Sequence, residues 1–425
     1  MDFKITGLGA CREVGRSSFL VDAGDKILLD RGVKLTPEKI EYPLAVNTNL
    51  DAAIISHAHL DHSGDLPHLF VKSRPVCYMT PPTLDLAELL WHDSLKIAGI
   101  EGYDAKFSKA EIRRTRKFTF PLGYRTRIDI TDKVSLEFFD AGHIVGSAIT
   151  KLTFNNTSLV YTGDFKVVET RLLNKANIKL GHVDYVITES TYGDSDHPDR
   201  YKVEKEFVDA CLRTVENNGF AIVPAFAVGR SHELIDILIE HKVGCPIYLD
   251  GMSQKAANIT LKYPKYLKDA KTLKKALRKA RWIRSDRDRK RALEEPAIIV
   301  TTAGMCDGGP VLNYIKRLYN DEKSAIFLTG YQVEGTQGRR LLEEGLITID
   351  GKEYRPKCTI KKFDFSAHPG QSEMLKALRK WNPKRVFLVH GDPPKITTFK
   401  KKIEEELGIE ATIMEFGKTF RVGEK

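Results

Sequence analysis

With 425 residues, 42% hydrophobic and 29% charged, the chain has the profile of a folded globular protein and exceeds the usual span of one core; disordered and fibrous classes are excluded, and two domains or one domain with a large insertion are predicted. No stretch is apolar for long enough to span a bilayer, and Met1-Asp2-Phe3-Lys4 opens a strand-like run rather than a signal peptide, so a cytoplasmic location is expected. The formal charge of +10 is local: between Lys262 and Arg291 fourteen Lys or Arg face three acids (Asp269, Asp286, Asp288), an excess of +11 that leaves the remainder near −1.

Short apolar, β-branched runs at 19–21, 27–30, 52–56, 134–139, 149–154 and 158–161 predict strands. Several end abruptly in polar residues and Gly, as expected where a site is built on the loops at strand ends. From Asp199 helices are predicted to alternate with strands: helix 203–215, strand 221–227, helix 231–241, strand 246–250, the basic helical segment, strand 297–301, helix 310–319 and strand 325–329. Such alternation predicts a parallel sheet with flanking helices, a second α/β unit. After about Lys352 a strand at 359–365, a helix at 371–381, a strand at 386–389, a helix at 396–407 and a last strand near 411–416 are expected. No internal repeat or low-complexity linker is visible. The six cysteines (Cys11, Cys77, Cys211, Cys245, Cys306, Cys358) are scattered without a Cys-x-x-Cys pair, which predicts reduced, mostly buried thiols.

The basic segment can concentrate polyanions and neutralise phosphates, with Lys274, Lys275 and Arg278 as candidate contacts and Tyr263, Tyr266 and Trp282 able to lie against bases or sugars. A solvated Lys-rich helical hairpin has the same composition. Gly229-Arg230-Ser231 and Thr302-Ala303-Gly304-Met305 are Gly-containing strand-to-helix turns. Such turns can present backbone N–H groups to phosphates, which makes Arg230, Ser231 and Gly304 candidates, although plain α/β turns share the pattern.

The densest signal is Ser56-His57-Ala58-His59-Leu60-Asp61-His62, where an apolar strand runs into four potential metal ligands. His57 and His59 are two apart, so in extended geometry their imidazoles point the same way and can hold one ion; Asp61 and His62 follow where the chain turns and can face a second. A surface His-rich loop is the bland alternative, and four ligands within six residues after a buried strand are rare by chance. Three further strand ends carry matching residue types: Asp140-Ala141-Gly142-His143, Tyr161-Thr162-Gly163-Asp164 and Leu388-Val389-His390-Gly391-Asp392. Glycine in each lets the backbone approach closely beside the ligand. His68, His92, His182, His197, His232 and His241 match no ligand motif and are expected to be structural.

His57-x-His59-x-Asp61-His62, His143, Asp164 and His390 resemble the ordered ligand set of the metallo-β-lactamase superfamily. Asp30 matches that superfamily's early structural Asp, a partner that orients the ligand loop. Glu189 in Ile187-Thr188-Glu189-Ser190-Thr191-Tyr192-Gly193 and His368 in Phe365-Ser366-Ala367-His368 resemble the acidic and late-His motifs of the nucleic-acid branch known as β-CASP. Gly9-Ala10-Cys11-Arg12-Glu13-Val14-Gly15-Arg16-Ser17 and Gly330-Tyr331-Gln332-Val333-Glu334-Gly335-Thr336 look like the endonuclease subunit of the cleavage and polyadenylation specificity factor, in the form of its archaeal relatives without KH domains and within the wider group that includes ribonucleases J. The resemblance covers essentially the whole chain.

It implies an α/β fold, a metallo-β-lactamase αββα sandwich at 1–193 and 353–425 with an inserted β-CASP domain at 194–352, and an active site in the cleft between the two domains. It implies two Zn²⁺ per chain, with Mn²⁺ the alternative: His57, His59 and His143 on one, Asp61, His62 and His390 on the other, and Asp164 bridging. Two ions about 3.5–4 Å apart can hold a hydroxide and neutralise an attacked phosphate, and zinc suits a His-rich site better than magnesium. His368 becomes the candidate general acid, with Glu189 tuning its imidazole, Asp61 counted beside them as catalytic, and Asp392 as a further partner of His390. Without the resemblance, His368 before Pro369-Gly370 reads equally as a helix start, and Glu189 as an ordinary strand-end acid.

The expected function is a zinc-dependent ribonuclease, endonucleolytic, 5′-to-3′ exonucleolytic or both, in RNA processing, 3′-end formation or decay. Single-stranded RNA is the expected substrate, and a homodimer and partners in RNA-processing or transcription complexes are implied. Three rivals compete. An RNA-binding scaffold that has lost catalysis is opposed by the seven intact ligand candidates; an enzyme on a β-lactam or thioester by the insertion, Glu189, His368 and the basic patch; and a DNA nuclease of the same branch by His390, where DNA-acting members commonly carry Val.

Overall fold

The structure, a computed structural model, describes residues 3–36 and 39–423; Met1 and Asp2 of the opening run lie outside the described residues. Two compact units divide the chain: Met1–Glu169, Lys175–Asp196 and Ala367–Lys425 form one, and Thr170–Asn174 with His197–Ser366 form the other.

The first unit holds two seven-stranded sheets. One runs Thr419–Val422, Phe3–Gly7, Phe19–Asp22, Lys26–Leu29, Ala52–Ile54, Val76–Met79, Thr119–Pro121; the other runs Glu410–Ile413, Arg385–Leu388, Tyr185–Thr188, Thr157–Tyr161, Ala148–Phe154, Val134–Asp140, Arg127–Asp129. Alternation along the strands puts Phe3, Ile5, Phe19 and Val21 of one sheet against Leu136, Phe138, Leu159 and Phe387 of the other in one apolar layer. On the far face of the second sheet, Val160, Val186 and Leu388 are covered by Met374, Leu378, Ile396, Phe399 and Ile403 of helices Gln371–Trp381 and Pro393–Leu407. Strands buried on both faces cannot alternate, which is why Tyr185–Thr188 is buried throughout. Helix Pro81–Glu101, absent from the sequence-based expectation, starts at Thr80, whose hydroxyl accepts from the Thr83 N–H, and stops at Gly102 in the left-handed region.

The second unit is built on a six-stranded, wholly parallel sheet in the order Arg281–Trp282, Ile247–Asp250, Ile298–Thr301, Ala221–Pro224, Ala325–Leu328, Thr359–Lys362. The resemblance implies a domain boundary at 352, with the strand expected at 359–365 in the closing segment. In the fold, Thr359–Lys362 pairs with Ala325–Leu328, so the unit continues to Ser366. Thr170–Asn174 also joins it: the Lys268 N–H donates to the Leu172 carbonyl at 3.0 Å, and Arg171 pairs with Glu204 at 2.8 Å. The hairpin Ile347–Ile349/Lys352–Tyr354 and the edge strand Thr419–Val422 on Phe3–Gly7 are likewise beyond the expected elements. Among the described residues no helix is long and apolar enough to cross a membrane.

Candidate metal centre

Five of the seven candidate ligands, and Glu189, follow the carboxyl end of a strand of the first unit, while Asp61 and His62 lie on the short helix Leu60–Ser63. His57 and His59 follow Ala52–Ile54, His143 follows Val134–Asp140, Asp164 follows Thr157–Tyr161, Glu189 follows Tyr185–Thr188 and His390 follows Arg385–Leu388. Ligands of α/β sheets collect at such ends because the chain leaves the ladder there and its side chains are free to converge. Turning so sharply needs unusual backbone: Asp30 and His390 have φ of +56° and +48°, and Gly163 has +51°. At Gly163 an added Cβ would stand 2.6 Å from the Ser56 Cβ, so both the turn and its neighbour demand glycine.

The structure brings all seven together in two groups, His57 with His59 and His143, and Asp61 with His62, Asp164 and His390. His143 Nε2 lies 3.2 Å from His59 Nδ1, and His390 Nε2 lies 3.2 Å from Asp61 Oδ2. Asp164 reaches both groups: Oδ2 is 3.3 Å from His62 Nε2, 3.7 Å from His57 Nε2 and 3.7 Å from His143 Nε2, and Oδ1 is 3.5 Å from His390 Nδ1. Nε2 of His57, on a side chain with no solvent exposure, has no hydrogen-bond partner. A buried imidazole nitrogen without a partner is costly in a dry protein, and a cation resolves it. Burial, then the neighbouring His62, pushes the His57 imidazole well below its usual pKa; burial also pushes His143 well below it and lowers His59. Three neutral imidazoles therefore face one point. Burial favours the acid form of Asp164, but His62, His390 and His368 hold its carboxyl well below the usual carboxylate range. Neutral imidazoles beside ionised carboxylates are the forms in which these groups bind a divalent ion.

A second layer of groups fixes the ligands. The Asp30 carboxylate accepts from the Ser56 N–H and hydroxyl at 2.7 Å each, from the Tyr161 hydroxyl at 2.6 Å and from His62 Nδ1 at 2.7 Å. That leaves His62 Nε2 facing Asp164. His143 Nδ1 donates to the Ala367 carbonyl at 3.0 Å, and Ser56 and Thr191 hydroxyls lie 3.1 and 3.2 Å from the Nδ1 atoms of His57 and His390. Ser56, Tyr161, Thr191 and Ala367 escaped the sequence-based expectation; a polar residue directly beside each ligand motif was the available signal for Ser56 alone. Asp392 stands at the N-terminus of helix Pro393–Leu407, and its carboxylate lies 4.0 Å from Lys395.

Gly32 presses on the ligand loop. A Cβ there would stand 1.8 Å from the Asp61 carbonyl oxygen and 2.1 Å from its carbon, so the backbone carrying Asp61 and His62 must move to admit it. Gly32→Ala is expected to weaken metal retention by about 10–100-fold, the range found when a ligand's supporting partner is lost. Competition with a chromophoric chelator measures this, and retention equal to the parent would refute it.

His368 sits against the cluster, its Nδ1 2.8 Å from Glu189 Oε2 and 4.0 Å from Asp164 Oδ2. Burial disfavours the charged ring, yet Glu189 and then Asp164 raise its pKa to about 9. The second carboxylate oxygen of Glu189 accepts from the Phe165 N–H at 3.0 Å, which ties Glu189 to the Asp164 loop. Lys166, buried, donates from Nζ to the His368 carbonyl at 2.8 Å and to Glu373 at 3.1 Å.

The remaining candidates lie in the second unit. Arg230 is buried at the start of helix Arg230–Glu240 and paired with Glu233, and the Ser231 hydroxyl donates to the Ala227 carbonyl at 3.2 Å. Gly304 packs so closely that a Cβ would meet the Phe226 nitrogen at 2.9 Å. Lys274, Lys275 and Arg278 project into solvent from helix Ala270–Lys279. Of the other histidines, His68, His182 and His197 contact Asp65, Asp184 and Asp364, and buried His232 meets the Ser253 carbonyl.

Family models match three successive parts of the chain: a metallo-beta-lactamase superfamily domain over 19–191, a Beta-Casp domain over 232–341 and a Zn-dependent metallo-hydrolase RNA specificity domain over 353–414. Probable RNase MJ4 of Methanocaldococcus jannaschii is 39% identical across 97% of this chain and 99% of its own. RNase aCSPSF2 of Saccharolobus solfataricus is 35% identical across 98% of this chain and 85% of its own, and Transcription termination factor FttA of Pyrococcus horikoshii is 35% identical across 96% and 69%. A crystal structure of a protein of unknown function from Enterococcus faecalis V583 shares the fold at TM-score 0.60 and 13% identity, covering 99% of this chain and all of that one. Fold and matches together define a metal-dependent hydrolase acting on RNA. The chain belongs to the β-CASP ribonuclease branch of the metallo-β-lactamase superfamily, its sandwich carrying a β-CASP unit.

Proposed function

We propose that this RNA-processing nuclease hydrolyses phosphodiester bonds with two zinc ions per chain, manganese being the alternative metal. His57, His59 and His143 hold one ion, Asp61, His62 and His390 hold the other, and Asp164 serves both. The observation that carries this reading is Asp164, whose carboxylate lies 3.3 to 3.7 Å from nitrogens of both groups. Five imidazoles with two carboxylates suit zinc by ligand type. Such ions, when bound, supply a nucleophile at neutral pH and neutralise the attacked phosphate.

The protein's own groups complete the chemistry. Asp30 keeps His62 turned to its ligand position, and Glu189 takes the Nδ1 proton of His368 in a hydrogen bond. That leaves His368 Nε2 to carry a proton to the departing sugar oxygen, a transfer that costs most when no acid is placed for it. Lys166 steadies the same residue through its carbonyl. The RNA specificity match over 353–414 and the relatives named RNase favour RNA over a small ester or thioester.

The test uses RNA and matched single-stranded DNA labelled at the 5′ end, incubated with the purified protein before and after chelation and after refilling with zinc or manganese. RNA cleavage lost on chelation and restored by zinc is expected, and product lengths separate release of mononucleotides from internal cuts. Metal-loaded protein that binds RNA without cutting it would establish the scaffold reading instead; equal cutting of DNA would remove the preference for RNA.

A further inference from the structure

Within the basic segment of the second unit, at the edge of its sheet, lies a cavity of about 590 Å³ lined by Trp282, Leu277, Asn258, Lys274, Arg278 and Arg284 among others. The sequence builds it locally. Helix Ala270–Lys279, capped by Asp269, buries Leu273, Ala276 and Leu277 and so turns Lys274 and Arg278 outward. The chain then forms the edge strand Arg281–Trp282, and the Trp282 indole N–H donates to the Leu277 carbonyl at 2.8 Å, pinning the ring across the helix end. With its N–H engaged, the indole offers the cavity ring surface.

The cations around it fall into two kinds. Arg281 is held by Glu295 and the Tyr248 hydroxyl at 2.7 and 3.0 Å, and Arg289 is held by Asp250 and Asp286. Lys274, Arg278 and Arg284 are exposed, and among the described residues none forms an ion pair. Three exposed cations beside an aromatic face match a ligand that pairs a flat π-surface with negative charge on either side. The volume lies within the range of about 300–1,000 Å³ typical of ligand sites.

On the footing that RNA is this enzyme's substrate, we propose that the cavity anchors single-stranded RNA, with one base against Trp282 and flanking phosphates on Lys274, Arg278 and Arg284. The site is built from the second unit alone and needs no metal. It holds RNA without regard to sequence, since every base has a π-face.

Tryptophan fluorescence tests this directly, because Trp91 and Trp381 are core residues at 0% and 5% exposure while Trp282 is partly exposed. Chelated protein, unable to cleave, is titrated with oligouridylate and, separately, with uridine monophosphate. Oligouridylate is expected to quench the fluorescence, and Trp282→Leu to remove the quench and weaken binding about tenfold. Arg278→Gln with Arg284→Gln, on exposed positions that leave the fold intact by circular dichroism, is expected to flatten the salt dependence of binding by about 0.7 per lost phosphate contact. RNA bound without quenching and with equal affinity by all variants would overturn the proposal, as would monophosphate quenching as strongly as the oligomer. Quenching by RNA in a protein that never cleaves, even metal-loaded, would leave this site standing and remove the ribonuclease mechanism instead.

Discussion

Asp164→Ala is expected to abolish RNA cleavage and to empty the metal centre. The carboxylate faces His62, His57 and His143 through one oxygen and His390 through the other, so on the proposed two-ion reading its removal would take a ligand from both groups at once. Losing a residue that merely supports a ligand costs about 10–100-fold, and losing this one should exceed that range. Elemental analysis of the purified variant is expected to find less than the parent's metal content, with cleavage of labelled RNA below about 1% of the parent rate. Circular dichroism guards against a folding defect, because Asp164 is buried and His62 would be left without that partner. A folded variant that keeps both ions and cuts RNA at the parent rate would rule out a shared ligand at this position.

His368→Ala is expected to separate proton transfer from metal binding. A positioned general acid contributes about 100- to 10,000-fold, so cleavage should fall within that range while metal content stays at the parent value. The pH dependence adds a readout that loss of packing would not produce. Burial works against the charged imidazole, but Glu189 and Asp164 raise its pKa to about 9, so the acid form persists at neutral pH and disappears as pH climbs through that value. Activity carried by the acid form is therefore present below the raised pKa and declines above it. Glu189→Gln removes the foremost raising influence and should move the alkaline decline of kcat/KM to lower pH. An alkaline limb that stays in place in Glu189→Gln would exclude His368 as the proton donor set by Glu189.

Much of the site was legible in the chain because its signals are local. His57, His59, Asp61 and His62 are crowded into six residues, and His143, Asp164 and His390 each follow a short β-branched run and stand beside Gly. Hydrophobic periodicity carried the alternation of the second unit, since strands buried on both faces read as continuous apolar runs. Helix Pro81–Glu101 was missed although Leu84, Ala87 and Trp91 mark its buried stripe, because exposed Ile97 and Ile100 blur the period near its end.

The sequence by itself thus determined which residue types reach the centre, in what order and at which strand ends, and that a parallel α/β unit follows. Tertiary structure decided what it could not. Strand pairing set where the second unit ends, for Thr359–Lys362 looks like any other strand until Ala325–Leu328 lies beside it. Folding also chose the supports: Asp30 gathers Ser56, His62 and Tyr161 from 26, 32 and 131 residues away, and Lys166 meets the His368 carbonyl 202 residues on. A hydrogen bond requires partners about 3 Å apart, and across such separations only the path of the folded chain sets that distance.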